Sequence, residues 1–140
     1  VADPNRLAVM GWSYGGYMSS LAITKGADVF KLAVAVAPVT NWRYYDNIYT
    51  ERYMQTPQEN EKGYDENSPI NHVDKLKGKY LLIHGTADDN VHVQNTYEMT
   101  SALVRANKQF DLFVYPDKNH GIYSRFHLYT KITSFIEDNL

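Results

Sequence analysis

Apolar positions follow two rhythms along this chain. Short, nearly unbroken runs of Val, Leu, Ile, Ala and aromatic residues occupy 7–10, 32–37, 80–84 and 110–115. Runs of this length, bounded by Gly, Pro, Asp and Asn, read as strands buried on both faces, which need no polar alternation. Between them, apolar residues recur at helical spacing over 16–25, 41–54, 92–106 and 124–138. Gly26 closes the first of these segments as a helix stop. Ser68-Pro69 offers an N-cap followed by proline at the first helical position, opening a short helix through Lys75. Residues 55–67 are polar, carry Pro57 and Gly63, and read as the mobile segment of the chain. Alternating strands and helices predict the α/β class: a mostly parallel sheet with helices on both faces.

Composition narrows this picture. At 140 residues the chain holds at most one domain, with enough material for a core. It opens at Val1, and four strands make a small sheet, so residues 1–140 read as part of a larger α/β domain. A net charge of −2 with mixed signs gives no footprint for nucleic acid or an anionic membrane. Zero cysteines exclude disulfides and thiol catalysis. No apolar run reaches the roughly 18 residues of a membrane span, and the start lacks a signal-peptide pattern. Twelve tyrosines stand out, a composition suited to recognition because each ring is apolar with a polar tip.

The candidate chemistry begins at Gly11-Trp12-Ser13-Tyr14-Gly15, which fits G-x-S-x-G. The bare pattern arises by chance in roughly one chain in twenty of this length. Its setting is more specific, with a strand before Ser13 and a helix after it, as a nucleophile elbow requires. Serine is a weak nucleophile at neutral pH and needs an imidazole base oriented by a carboxylate. The third strand runs into His84-Gly85-Thr86-Ala87-Asp88-Asp89, and the fourth into Asp117-Lys118-Asn119-His120-Gly121. Both loops leave C-terminal strand ends, where parallel sheets place their sites, in the order serine, acid, histidine. Ser13 is therefore the candidate nucleophile, Asp88 the acid and His120 the base. Asp89 competes with Asp88, and the residue nearer the strand is preferred. Tyr14, following the nucleophile, is placed to give its backbone N–H to an oxyanion hole. His84 reads as structural, His92 as a neighbour of the acid loop, and His72 and His127 as solvated. No His/Cys/carboxylate cluster has metal-ligand spacing.

Four stretches carry a resemblance to the prolyl oligopeptidase family of serine peptidases. They are GWSYGGY at 11–17, VFKLAVAVAPVTNWRYYDNIYTERYM at 29–54, LLIHGTADDNVH at 81–92 and DKNHGI at 117–122. The resemblance implies the C-terminal half of an α/β-hydrolase domain, with the upstream strands and a β-propeller outside this chain. It implies the same triad, no cofactor, and release of N-terminal dipeptides with proline or alanine second. It also implies a proline pocket formed by Val39, Trp42, Tyr45, Tyr49 and Val91, with Tyr14 lining it. Asn90 is expected to donate to a substrate carbonyl, and Arg52 to belong to the polar frame beside it. Trp42, Tyr45 and Tyr49 fall at i, i+3 and i+7, one face of a helix. A second oxyanion donor, a homodimer using the last helix, and a periplasmic, extracellular or membrane-anchored parent are further expectations of the likeness. An oligopeptidase, an acylaminoacyl peptidase, an esterase and a non-catalytic binding relative are the alternatives on the same scaffold.

Overall fold

The computed structural model describes residues 2–140. Four strands, β1 (Ala8–Trp12), β2 (Leu32–Val36), β3 (Lys79–Gly85) and β4 (Asp111–Tyr115), form one sheet in the order β1-β2-β3-β4. All three pairings are parallel, with Ala8 opposite Leu32, Leu32 opposite Lys79, and Leu81 opposite Asp111. Parallel strands need crossovers. Helices α1 (Tyr14–Lys25) and α4 (Gln94–Arg105) supply two of them, and α5 (Arg125–Asn139) follows β4.

Strand alternation sorts the core into two layers. Leu32, Val34, Val36, Leu81 and Ile83 point to the face covered by Leu128, Ile132 and Phe135 of α5. Ala33, Ala35, Tyr80 and Leu82 point to the opposite face, against Ile23 of α1 and Met99 and Leu103 of α4. The fold is thus a parallel sheet with helices on both sides, as the hydrophobic pattern predicts, and of the α/β-hydrolase kind that the resemblance implies. Only β2 is buried throughout, and β3 nearly so; β1 and β4 are the sheet margins and are partly exposed. The expectation of four fully buried strands is corrected at these two, because each has a neighbour on one side only.

The segment 41–54 is not one helix. A 3₁₀ turn covers Trp42–Tyr44, Tyr45 is extended, and α2 begins afresh as Asn47–Met54. Two short polar side chains cause the break by capping. Asn41 accepts a hydrogen bond from the Arg43 N–H, and Asp46 accepts one from the Tyr49 N–H at 3.0 Å.

Residues 55–67 also depart from expectation, since they contain α3 (Glu61–Glu66), capped by the Asn60 side chain. Tyr64 of α3 is fully buried, and its hydroxyl donates to the Gln55 carbonyl at 2.7 Å. Ser68 precedes a 3₁₀ helix over Pro69–Lys75, yet its hydroxyl makes no capping bond. It donates to the Tyr64 carbonyl at 2.6 Å and accepts from the Trp42 N–H at 3.1 Å. The apolar centre of this region is a third cluster of Tyr17, Val39, Trp42, Tyr64 and Val91, with Tyr45 and Met54 against it.

Candidate active site

β1 ends at Trp12 and α1 begins at Tyr14, leaving Ser13 alone to turn the chain. Its backbone sits at φ 58°, ψ −115°, a conformation L-residues rarely adopt. The Ser13 N–H donates to the Val36 carbonyl at 2.8 Å, and its own carbonyl accepts from the Tyr17 N–H at 2.9 Å. A side chain at Gly11 would collide with the Gly15 carbonyl, and a Cβ at Gly16 would stand 2.7 Å from the Val36 oxygen. These two glycines therefore let strand, turn and helix pack at contact distance. Tyr14 holds the first position of α1, where a backbone N–H has no intrahelical partner.

Asp88 lies buried in the loop after β3, within reach of four donors. Its Oδ1 accepts from the Asn90 and Val91 N–H groups at 3.0 and 2.9 Å. Its Oδ2 faces His120 Nδ1 at 2.7 Å and His84 Nε2 at 3.2 Å. Burial pushes the carboxyl up, but hydrogen bonds from His120, His84 and the Asn90 amide outweigh it and hold Asp88 well below the usual carboxylate range. Asp89 beside it is exposed.

His120 is only partly buried, and its loop is fastened from several sides. The Trp12 indole N–H donates to the His120 carbonyl at 2.9 Å, and the Ala87 N–H donates to the Lys118 carbonyl at 3.0 Å. The Arg125 guanidinium lies 4.8 Å from the Trp12 ring centroid. A side chain at Gly85 would strike the Lys118 carbonyl, so the β3 end and the histidine loop meet at backbone distance. Ile122, buried two residues on, has φ 41°, a strained value for a β-branched residue.

Ser13 lines a cavity of about 230 Å³ together with Tyr14, Val39, Trp42, Tyr45 and Tyr49. A second cavity of about 370 Å³ shares Tyr14, Trp42 and Tyr49 and extends to Tyr17, Thr50 and Tyr53. The aromatic walls brace one another: the Tyr17 and Trp42 rings meet edge-on at 4.9 Å, as Tyr45 and Tyr49 do at 5.4 Å. The Tyr45 hydroxyl donates to Asn90 Oδ1 at 2.8 Å, and burial pushes the Tyr45 phenol up, so it stays protonated. Val91 lies beneath the pocket, packed with Val39 and Trp42 rather than lining the cavity. Arg52 is exposed on α2 and makes no side-chain hydrogen bond among the described residues.

Ser13, Asp88, His120, Tyr14, Asn90 and the aromatic residues thus all follow C-terminal strand ends. Asp88 pairs with His120 and Tyr45 with Asn90, while no hydrogen bond joins Ser13 to His120 among the described residues. Trp12, His84, Tyr64 and Ser68 also shape this end of the molecule, and the sequence reading gave none of them a part in the site. Trp12 carried the best signal, sitting inside the motif itself.

This sheet, with a strained serine elbow and an acid–histidine pair on the following loops, is of the α/β-hydrolase class. A family model described as the prolyl oligopeptidase family matches residues 1–140, and the chain belongs to that family. Over 140 residues it is 48% identical to a protein named prolyl endopeptidase FAP from Bos taurus. Over 141 residues it is 47% identical to dipeptidyl peptidase 4 of Felis catus. Each match covers 96% of this chain and 18% of the relative, so the chain spans under a fifth of those proteins. The crystal structure of Porphyromonas gingivalis dipeptidyl peptidase 4 superposes with a TM-score of 0.97 at 49% identity, covering 99% of this chain and 20% of that one.

Proposed function

We propose that this chain carries the triad and proline pocket of a serine peptidase that releases N-terminal dipeptides with proline or alanine second. The observation that supports this best is the 2.7 Å pairing of Asp88 with His120 at the strand end where strained Ser13 lines an aromatic pocket. His120 donates through Nδ1 to Asp88, which leaves Nε2 as the base. It takes the Ser13 hydroxyl proton as Oγ attacks the carbonyl, then hands that proton to the departing amine. Water enters by the same route, and the acyl-enzyme is hydrolysed. The Tyr14 N–H stabilises the oxyanion. Because Tyr45 occupies Asn90 Oδ1, the Asn90 amide hydrogens remain for a substrate carbonyl. The aromatic lining of Trp42, Tyr45 and Tyr49 suits a flat ring that lacks an N–H. Arg52, exposed on α2, is proposed to enter this frame only with substrate present.

A second reading, internal cleavage after proline, is favoured by the 48% identity to a protein named a prolyl endopeptidase. The deciding assay uses the longest natural polypeptide carrying this sequence, with Gly-Pro-anilide and its N-blocked twin. Hydrolysis of the free form alone, abolished by Ser13→Ala, is the expected result. Equal hydrolysis of both forms overturns the dipeptidyl reading in favour of the endopeptidase. Homodimerisation is proposed with it, α5 exposing Phe126 and Tyr129. A monomer in gel filtration at every concentration tested refutes that.

A further inference from the structure

β3 is apolar from Tyr80 to Ile83 and then places a fully buried imidazole, His84, at its end. The triad chemistry does not use this ring. A buried polar group needs partners, and both partners of His84 Nε2 lie around the acid. Its Nε2 is 2.8 Å from the Val91 carbonyl and 3.2 Å from Asp88 Oδ2. Neither of those oxygens can donate, so Nε2 carries a hydrogen. Its Nδ1 is 2.7 Å from Thr96 Oγ1 of α4. A threonine hydroxyl that donates to Nδ1 leaves the ring's hydrogen on Nε2.

The contacts close a ring. His84 holds the Val91 carbonyl, the Val91 N–H holds Asp88 Oδ1, and Asp88 Oδ2 lies against His84. Oδ2 thus stands between two imidazoles, with His120 on its other side at 2.7 Å. We infer that His84, held in one tautomer by Thr96, is a positioning residue that sets the Asp88 carboxylate and, through it, the His120 base. This inference rests on the triad reading above. The supporting arrangement is of a general kind, in which an outer partner orients a group that orients the reacting one.

The experiment compares His84→Phe, His84→Gln and Thr96→Val with Ser13→Ala in the longest natural polypeptide carrying this sequence. Gly-Pro-anilide kinetics are measured beside thermal unfolding. Phenylalanine keeps the ring shape without a donor, whereas a glutamine amide reaches the Nε2 position. His84→Phe is expected to lower kcat about 10–100-fold with KM little changed, as loss of an outer-shell partner does. His84→Gln should restore most of that loss, and Thr96→Val should lower kcat several-fold. The low-field proton resonance of the His120–Asp88 hydrogen bond should move in His84→Phe. Parental kcat in His84→Phe, with Ser13→Ala dead, overturns the inference and leaves the triad standing. Equal losses in His84→Phe and His84→Gln that track the unfolding temperature also overturn it. If His84→Phe does not fold, Thr96→Val decides, and a parental kcat there is a refutation. Turnover surviving in Ser13→Ala brings down the triad reading itself, a separate result.

Discussion

Ser13 is held at φ 58°, ψ −115° by hydrogen bonds on both sides of the turn, from its own N–H to Val36 and from Tyr17 to its carbonyl. Such a conformation costs an L-residue about 1–3 kcal/mol, which the surrounding strand and helix must offset. Glycine adopts it freely. Ser13→Gly and Ser13→Ala both delete the hydroxyl, so their difference isolates the strain. Urea unfolding should show the glycine variant more stable than the alanine variant by about 1 kcal/mol, after glycine's extra unfolded-state entropy is set against the relief. Alanine being equal or better would mean the turn stores nothing. Asp88 makes a second prediction at this scale. Its folded pKa is depressed, so its contribution to stability is complete above the ordinary carboxylate value of about 4. That contribution is lost as pH falls from there through the depressed folded value. Asp88→Asn should therefore flatten the fall in unfolding midpoint below about pH 4, measured in urea across pH. The roles proposed for Ser13, Asp88 and His120 were legible because each residue follows a strand end in a fixed chain order. His84 was not legible. Register turns it to the face of Tyr80 and Leu82, toward α4, and only the loop's backward fold brings Asp88 onto it.

Among the elements, the strands and long helices were predictable because short apolar runs alternate with longer mixed segments, and most of their ends carry Gly, Pro or Ser. The region from 41 to 67 was harder, because its aromatics satisfy a helical period while its polar caps contradict it. Capping won. Asn41 and Asp46 each take a backbone N–H and divide one expected helix into a 3₁₀ turn and α2. The i, i+3, i+7 face therefore does not align Trp42, Tyr45 and Tyr49. They converge across the break, with Tyr45 extended between them and the Trp42 and Tyr49 rings stacked at 6.5 Å. Tyr64 was equally hidden: nothing in a polar stretch announces that one ring of α3 will fill the third cluster and tie back to Gln55. The cap should matter to binding as well as to stability. Asp46→Ala is expected to cost about 1 kcal/mol in unfolding. It should also raise KM for Gly-Pro-anilide more than it lowers kcat, because Tyr49 is the residue whose N–H the cap holds. An unchanged KM would separate α2's first turn from the pocket.

At the scale of the whole molecule, the sheet supplies one end at which four loops meet, but its β1 margin is open. Met10 in β1 is half-exposed, and β1 pairs only with β2. An unpaired edge of this kind is a template for association with another strand. The site shows a matching one-sidedness. Ser13, Tyr14, His120 and the pocket are present, while a carbonyl oxygen in the tetrahedral intermediate needs more than the single Tyr14 N–H proposed for it. Loss of one oxyanion donor costs roughly 10²–10³ in rate. The relatives that match this chain are more than five times its length, which leaves ample sequence to cover the edge and complete the site. We therefore expect residues 1–140, produced alone, to hydrolyse Gly-Pro-anilide at least about 10²-fold more slowly than a polypeptide of the relatives' length that carries this sequence. We also expect it to self-associate as concentration rises, which light scattering would detect. Met10→Lys, a charge on the open strand, should reduce the association without restoring the rate. Full turnover by the isolated chain would place a complete oxyanion hole within these residues. Slow turnover from a strictly monomeric chain would retain the catalytic argument and remove the one based on the open edge.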